Sequence, residues 1–385
     1  MPRVQTLFAA LAVVLGASFV ASAAPLPYQL NVVAQTGEGR FALLNTPSLN
    51  NLSVAAFRGN DAAGNGGVFY GTPGTVQQLP TPGLTITPLG GPFAFGDLVG
   101  VNDSGRLAFT ALPPNPNGFE GNQGVYSTIP GGPLQTVLGA FTVDGDIRRG
   151  PAINQSGTVI VSAGSTVSGV YVGDGTMPAA QTFRAAAEIT PRINDGGHVA
   201  LTTLPAGFGR ALYFDYHVIV TSNSPVPGIG ELIPYEADLA NDNRVLFSAN
   251  HDGLDTSLFL WADGSITRAF ESDSIETPAL NNRGDIATLN QAAFGRPERL
   301  SLIVDGAEDP VVSVGDALLG STVTDLAFVA EGFNDAGQLA FLAQLADGRE
   351  AVVIATPLPE PAGASIALAA LGLTTLTRRR RSHRP

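Results

Sequence analysis

One short pattern recurs along most of the chain, and this repeat constrains the fold more than any other feature. The pattern is N-[DN]-x-G-x-[VLI]-A-F, and its clearest copies start at Asn102 and Asn334. Looser copies start at Asn50, Asn154, Asn194, Ala240 and Asn281, which makes seven copies spaced 40 to 53 residues apart. A repeat of this length indicates units that bury their apolar faces only by stacking on neighbours.

Each copy is predicted to begin with a tight turn. An apolar residue precedes every copy, so a strand is expected to end there. Asn and Asp side chains can hydrogen-bond the backbone two residues on, and Gly adopts a positive φ without steric cost. Ser53 and Asn243 stand at the Gly position in two copies. The turn residues predicted in this way are Asn102, Gly105, Asn154, Gly157, Asn194, Gly197, Asn281, Gly284, Asn334 and Gly337.

The residues after each turn predict three further strands. In the first of them, pairs such as Leu107 and Phe109 point to one face and Ala108 points to the other, because side chains alternate along a strand. Four short antiparallel strands per repeat are typical of a propeller blade. The last copy lacks a fourth strand, and residues 30–34 resemble the missing piece.

The fold prediction is therefore an all-β propeller with four-stranded blades. We expect seven blades, closed by the N-terminal strand so that no sheet edge is left unpaired. Six or eight blades also remain compatible with the pattern, since strand boundaries read from a sequence are uncertain by about two to four residues.

The N-terminal residues 1–23 predict a secretory signal peptide. Arg3 supplies the positive charge, residues 7–20 form an apolar core, and small residues follow. Cleavage is expected after Ala23, with Ala24 as the alternative and Ala21 as the other small residue of the site. An uncleaved anchor is the competing interpretation.

The C-terminal residues 357–385 predict a second targeting segment behind the repeat domain, residues 25–356. Pro359-Glu360-Pro361 is followed by the uncharged run 362–377, which is slightly short for a membrane span of about 20 residues. Arg378, Arg379, Arg380 and Arg381 come next and would hold their end in the cytoplasm. We expect a single transmembrane-type helix here.

This order of P-E-P, apolar helix and Arg cluster resembles the PEP-CTERM sorting signal of diderm bacteria. The resemblance implies recognition and removal by an exosortase, a membrane-embedded cysteine protease-like transpeptidase, and a destination at the cell surface or in the exopolysaccharide matrix. The repeats, residues 28–356, resemble the exported choice-of-anchor tandem-repeat proteins named for N-x-x-G-x-x-x-A-F, which implies no known activity.

Composition narrows the possible partners. The chain has no Cys, which excludes thiol catalysis and cysteine-ligated metals. Its 20 basic residues are all Arg and are outnumbered by 33 acidic residues, giving a net charge of −13. Such a surface repels nucleic acid and anionic lipid. Expected partners are signal peptidase, an exosortase-type enzyme, the inner membrane during sorting, and exopolysaccharide as a candidate ligand.

Few residues that differ between the repeats are candidates for catalysis, metal binding or ligand binding. The turn residues Asp103, Asp195, Asp242 and Asp335 recur within the repeated turn, so the turn explains them. The sequence places His198, His217 and His251 in different blades, without the spacing of metal ligands. Arg148 and Arg149 are candidates to clamp a carboxylate or sulfate, or to pair with nearby acids. Trp261 is a core residue or a platform for a sugar ring.

The sequence predicts no catalytic residue, no cofactor and no complete metal site. Residues 60–65 and 250–255 bring several oxygen donors into short loops, but neither matches a full calcium loop, so weak Ca²⁺ binding is an open alternative. The leading hypothesis is a non-enzymatic matrix protein with a structural or adhesive role. The alternative is a propeller hydrolase or lyase acting on polysaccharide, which requires unrepeated Asp, His and Arg residues from several blades to meet in the central channel.

Overall fold

A computed structural model describes most of the repeat domain. The described residues are 28–90, 98–113, 123–140, 147–164, 168–177, 179–185, 189–203, 209–222, 225–251, 255–271, 275–292 and 297–358. They belong to one compact unit, Tyr28–Leu358. The predicted signal peptide, its cleavage residues and the sorting segment from Pro359 onward lie outside the described residues.

The first half of the described chain is a succession of short strands. They are β1 (Tyr28–Gln35), β2 (Phe41–Leu44), β3 (Ser48–Leu49), β4 (Ala55–Asp61), β5 (Gly66–Gly71), β6 (Gln77–Gln78), β7 (Gly100–Val101), β8 (Leu107–Ala111), β9 (Gly124–Thr128), β10 (Gln135–Leu138), β11 (Ile147–Ile153), β12 (Val159–Ala163), β13 (Ser168–Gly173) and β14 (Ala180–Ala185).

The second half continues in the same way. Its strands are β15 (Ile189–Ile193), β16 (Val199–Thr203), β17 (Ala211–Phe214), β18 (His217–Thr221), β19 (Leu232–Leu239), β20 (Val245–His251), β21 (Asp255–Ala262), β22 (Ser265–Glu271), β23 (Ile275–Leu280), β24 (Ile286–Asn290), β25 (Arg299–Val304), β26 (Ala307–Ser313), β27 (Ala317–Leu318), β28 (Ser321–Ala327), β29 (Leu339–Leu345) and β30 (Glu350–Pro357), with a 3-10 helix at Ala330–Gly332.

These strands form seven antiparallel sheets, which confirms the predicted seven-bladed propeller. Blade 1 has the order β2-β4-β5-β6, with β3 also pairing with β4. Blades 2 to 6 each consist of four consecutive strands, from β7–β10 to β23–β26. Blade 7 has the order β27-β28-β29-β30-β1. The N-terminal strand therefore closes the ring, as the sequence predicts.

The register of β1 on β30 explains how the ring is closed. Tyr28 pairs with Pro357, and Gln35 pairs with Ala351. Val33 and Ala34 are buried in the cluster shared with blade 1, whereas Leu30 and Val32 pack against the cluster shared with blade 6. Both faces of β1 thus take part in packing.

The second strand of each blade packs in the alternating way that the pattern predicts. Leu107 and Phe109 of blade 2 share a cluster with Ala56 of blade 1. Ala108 of blade 2 shares the next cluster with Val159 and Val161 of blade 3. The same relation continues around the ring, until Ala340 of blade 7 packs with Phe57 of blade 1. The core is therefore a closed series of clusters between neighbouring blades.

The turns between the first two strands have the expected backbone conformation. Gly105, Gly157, Gly197, Gly284 and Gly337 have φ values between 76° and 95°. Ser53 and Asn243, which replace Gly, also adopt positive φ values of 62° and 69°. These turns lie at the same end of every blade, because the first strand of each sheet runs toward them and the second runs away from them.

The two ends of the propeller therefore differ. We call the end that carries these turns the tight-turn face; the turns between third and fourth strands lie there too. The opposite face carries the connections from second to third strands and from one blade to the next, which vary in length from blade to blade. Among the described residues, no helix is long and apolar enough to cross a membrane. The predicted C-terminal helix lies outside them.

Candidate functional site

The first strands of all seven blades surround a cavity on the propeller axis. One position of these strands, two residues before each repeat, differs between blades in side-chain size and charge. It is occupied by a small residue in five blades and by a charged residue in the other two. The small residues are Ser48, Gly100, Ala152, Ala279 and Gly332, and the charged ones are Arg192 and Asp238.

The close approach of neighbouring first strands explains why most blades have a small residue at this position. An added Cβ at Gly100 would lie 2.8 Å from the carbonyl oxygen of Pro151 in the next blade. The first strands of blades 2 and 3 thus approach too closely for a larger side chain at this position. Arg192 and Asp238 depart from the rule and bring charge to the same level of the axis.

A closed ring of hydrogen bonds forms the rim of this cavity on the tight-turn face. In each blade, the backbone N–H of the second repeat position donates to the side-chain oxygen of the same position in the next blade, at 2.7 to 2.9 Å. All seven links are present. The members of this axial ring, in order, are Asn51, Asp103, Gln155, Asp195, Asn241, Asn282 and Asp335.

A second ring lies beside the first and uses the first repeat position. The Nδ2 of each Asn donates to the carbonyl oxygen of the same position in the next blade, at 2.9 to 3.3 Å. Ala240 has no amide to donate, so blade 5 provides no such link to blade 6. Asp238 makes a different bond there, because its Oδ2 accepts from the N–H of Leu280 at 2.7 Å.

Below the rim, an ion pair crosses the channel. The Arg192 Nη1 of blade 4 lies 2.9 Å from Oε1 of Glu331 in blade 7, on the far side of the ring. The Arg192 Nε lies 3.8 Å from Oδ1 of Asp238 in blade 5. The three side chains are 12%, 20% and 14% exposed, respectively. Three blades thus contribute unrepeated charged residues to one cluster on the axis.

The environment of this cluster changes its proton affinities. Burial by itself would lower the pKa of Arg192, but the carboxylates of Glu331 and Asp238 outweigh burial, and the pKa is raised. Burial raises the pKa of Asp238, and its contact with Arg192 offsets part of that effect. Arg192 is therefore a fixed cation that holds two largely buried carboxyl groups around it.

The cavity above this cluster has a volume of about 180 Å³ and is strongly polar. Its lining includes the axial ring, with Arg192, Asp238 and Glu331 at its base. Arg192 Nε and Glu331 Oε2 are buried and have no hydrogen-bond partner among the described residues. A hydroxyl group has the chemistry to pair with either atom, since it can accept from the N–H and donate to the carboxyl oxygen. Water or a polyol fits that requirement.

A second cavity, of about 270 Å³, lies between blades 6 and 7. Glu276, Glu298 and Asp325 line it together with Phe328. The N–H of Leu326 donates to both Glu298 Oε1, at 3.0 Å, and Asp325 Oδ1, at 2.9 Å. Burial and then the charge of Asp325 raise the pKa of Glu298 to about 7. Glu298 therefore titrates near neutral pH, well above the range of an ordinary carboxyl group.

The turn aspartates have a structural role, but only Asp242 bonds its own turn. Its Oδ1 accepts from the N–H of Arg244, two residues on. Asp103, Asp195 and Asp335 instead accept from the preceding blade as members of the axial ring. In each intact repeat, the Asn before this position makes the bonds within the turn. For example, Asn334 Oδ1 accepts from the N–H groups of Ala336 and Gln338.

The histidines do not come together as a site, and their predicted distribution was wrong. His198 and His217 belong to the same blade, because they precede and begin strands of one sheet. His198 Nδ1 lies 2.6 Å from Asp215 Oδ2. His251 belongs to blade 5 and contacts the carbonyl oxygen of Ile229.

Trp261 and the arginine pair have separate locations. Trp261 packs against Phe214 of blade 4, with ring centroids 5.0 Å apart, which favours its role as a core residue. Arg148 and Arg149 lie on β11, the first strand of blade 3.

The proposed calcium loops differ in how far the structure describes them. In residues 60–65, the Asp61 side chain accepts from the N–H groups of Ala63 and Asn65 and from Asn65 Nδ2, so it caps its own turn. Residues 250–255 are only partly described. Within the described part of the chain, no group of three or more His, Asp or Glu side chains is arranged to hold a metal ion.

Sequence reasoning missed Arg192, Asp238 and Glu331, which are the residues that meet on the axis. A signal was available for two of them, because Arg192 and Asp238 occupy a position that is small in the other repeats. Glu331 lies in the 3-10 helix that is inserted before the last repeat. Because of that insertion, the sequence does not show that Glu331 corresponds to the first-strand residues of the other blades.

Comparison with known proteins identifies the fold class. No protein-family model and no curated protein matches the chain. An oligogalacturonate lyase in complex with manganese aligns with a TM-score of 0.55 at 11% identity, over 88% of this chain and 98% of the lyase. An oligogalacturonate lyase from Vibrio parahaemolyticus aligns with a TM-score of 0.54 at 12% identity, over 88% and 98% of the two chains.

A puromycin-hydrolyzing peptidase from Mycobacterium tuberculosis has a TM-score of 0.53 at 11% identity, over 86% of this chain and 54% of the peptidase. At such identities the likeness shows the fold alone. The chain is a seven-bladed β-propeller.

Proposed function

We propose that this propeller is exported, sorted by an exosortase-type enzyme, and retained at the cell surface or in the extracellular matrix in a structural or adhesive role. Its leader, its P-E-P motif at Pro359-Glu360-Pro361 and its trailing Arg cluster support export and sorting. The observation that carries the non-enzymatic role is the axial ring, in which repeated polar side chains bond neighbouring blades.

Stable packing without disulfides suits this role. The chain has no Cys, and its seven blades are joined by apolar clusters and by hydrogen bonds around the axis. A protein outside the cell that needs no redox partner to fold would remain intact in a matrix.

The alternative, a hydrolase or lyase acting on polysaccharide, is favoured by one observation. Arg192, Asp238 and Glu331 come from three blades, and Arg192 lies within ion-pair distance of both carboxyl groups. The fold is also similar to those of two oligogalacturonate lyases. An arginine in a channel suits a uronate substrate, because guanidinium binds carboxylate strongly.

The test of the proposed function is intact mass and location of the protein in its own host, with and without the exosortase-type enzyme. Loss of both terminal segments and release to the matrix, only when the enzyme is present, would support sorting. A full-length C-terminus in the inner membrane under both conditions would contradict it.

The enzyme alternative has its own test. The purified protein and its Arg192→Met variant are incubated with neutral and uronate-containing polysaccharides, and new reducing ends and unsaturated products are measured. If the native chain forms these products and the variant does not, the protein is an enzyme and the proposed structural role is wrong.

A further inference from the structure

The axial cavity is open at one end and closed at the other. Its rim is the axial ring, in which most of the side chains are exposed to solvent. Its base is the cluster of Arg192, Asp238 and Glu331, where the ion pair between Arg192 and Glu331 crosses the channel. A linear polymer that arrives at the tight-turn face therefore cannot thread along the axis, whereas the end of a chain can enter the cavity.

The volume of the cavity limits what can enter it. The space of about 180 Å³ would hold about six water molecules, at about 30 Å³ each. It is smaller than the pockets of about 300 to 1,000 Å³ that bind drug-sized ligands. A single sugar ring fits this volume, and an oligosaccharide does not.

The lining offers donors and acceptors at both levels of the cavity. The rim contributes the side-chain amides of Asn51, Gln155, Asn241 and Asn282. At the base, the side chains of Arg192, Asp238 and Glu331 remain 12%, 14% and 20% exposed although they lie on the axis. Sugar hydroxyl groups match such a lining because each can both donate and accept a hydrogen bond.

The charges of the lining discriminate between sugars. Among the described residues around the cavity, five carboxyl groups accompany one guanidinium group. That guanidinium belongs to Arg192, which is already paired with Glu331 and Asp238. It therefore has little capacity to offset the repulsion between a uronate and the remaining carboxylates, whereas an ammonium group on a sugar would be attracted.

We infer that the axial cavity binds the terminal residue of a glycan end-on, and that it favours a neutral or amino sugar over a uronate. This inference rests on the proposed function for its setting, because it gives the adhesive role a ligand. Binding itself is a property of the folded propeller and can be measured on the purified protein. A preference for uronate would instead favour the enzymatic alternative.

The charge preference is tested with sugars that share one ring. The purified full-length chain is titrated calorimetrically with D-glucosamine, D-glucose and D-glucuronate. We expect saturable binding at one site per chain, several-fold tighter for glucosamine than for glucose, and weakest for glucuronate. No saturable binding of either glucosamine or glucose would overturn the site, and tightest binding of glucuronate would overturn its charge preference.

Variants show whether this binding occurs in the cavity. Changing Asp103, Asp195 and Asp335 together to Asn preserves side-chain shape, since Asn already occupies this ring position in three other blades. The triple variant should lose most of the preference for glucosamine and keep its affinity for glucose. Arg192→Met removes a charged donor and should weaken glucose binding about tenfold. Arg268→Met, an exposed change on β22, is the control. Unchanged binding in both cavity variants would place the ligand elsewhere.

End-on entry has a separate test. Maltoheptaose and β-cyclodextrin contain the same glucose residues and linkage, but the cyclic molecule has no chain end. We expect maltoheptaose to bind about as tightly as glucose and cyclodextrin not to bind. Equal binding of the two would overturn end-on entry. These outcomes are separate from export and sorting, which intact mass and location test, so failure of the site would leave the proposed sorting unaffected.

Discussion

At the scale of single residues, the Asn that opens each repeat performs two tasks. Its Oδ1 closes the turn by accepting backbone N–H groups, and its Nδ2 bonds the carbonyl oxygen of the next blade. The first task is local and could be predicted from the residue type. The second depends on a neighbour that is at least 40 residues away in sequence, so no local pattern indicates it.

Replacing this Asn should therefore be costly. Asn334→Ala removes the bond to Asn50, two bonds with Gln338 and one with Ala336. We expect it to lower the free energy of unfolding by about 3 kcal/mol, at about 1 kcal/mol for each buried bond. Urea denaturation measures the change. Ala336→Ser, an exposed change in the same turn, is the control, and an equal loss in both would contradict a special role for Asn334.

Ala240 is the one repeat start that is not Asn, so here an Asn can be introduced rather than removed. Ala240→Asn offers the missing amide to blade 6 and the missing cap to its own turn, so we expect a gain of about 1 kcal/mol in the free energy of unfolding. The same urea experiment measures it. A loss would mean that Asp238, which already bonds Leu280, leaves no room for the seventh amide.

The stability of the propeller should also depend on pH through Glu298. Its pKa is about 7 in the folded protein and 4.5 ordinarily, so between these values the folded state holds a proton that the unfolded state lacks. This contribution is complete below about pH 4.5 and is lost as the pH rises to about 7. The groups that face Glu298 are Asp325, Glu276 and the N–H of Leu326.

Glu298→Gln should remove this dependence. We expect the variant to be more stable than the native chain at pH 8 by about 1 kcal/mol, after allowing for solvent screening of a half-buried group, and to differ little at pH 4. Denaturation at several pH values tests this. Glu231→Gln changes an exposed carboxyl group and serves as control; identical pH profiles for all three proteins would contradict the assignment.

At the scale of elements, β1 is the strand on which ring closure depends. It lies far from β30 in sequence but supplies the outer strand of blade 7 and buries Val33 and Ala34 against blade 1. The sequence predicted this role because the last repeat lacks a fourth strand and residues 30–34 resemble one. The second strands were equally predictable, since alternation along a strand assigns each side chain to a face.

Deletion of residues 28–36 should abolish cooperative unfolding of the mature chain. Without β1, the edge of β30 is unpaired and the apolar clusters on both sides of blade 7 become exposed to solvent. Thermal unfolding followed by circular dichroism gives the readout. Deletion of residues 25–27, which precede β1, is the matched control, and a sharp transition at an unchanged temperature in the longer deletion would rule out the closure role.

At the scale of the whole molecule, the Arg192–Glu331 ion pair links blades 4 and 7 across the channel. It exists only because seven blades bring these first strands to opposite sides of a narrow axis. The pair and Asp238 also divide the channel, with the polar cavity of about 180 Å³ on the tight-turn side.

Breaking this pair should destabilise the propeller. Glu331→Ala leaves a buried guanidinium with less compensating charge, and we expect a loss of about 3 kcal/mol in the free energy of unfolding. Adding Arg192→Met should recover part of that loss, because the apolar side chain has no buried charge. A double-mutant cycle by urea denaturation measures the coupling, with Glu231→Ala as the exposed control. Additive effects would mean that the two residues are energetically independent.

The sequence by itself determined the four-stranded blade and the strand that closes the ring, and it favoured seven blades over six or eight. Turn chemistry and side-chain alternation are local properties, and because they recur in seven copies the pattern is easy to recognise in the sequence. Only the tertiary structure decided what meets on the axis. The axial ring, the bond of Asp238 to Leu280 and the pairing of Arg192 with Glu331 all join residues from different blades. Such contacts follow from the radius and closure of the ring, which no single repeat encodes.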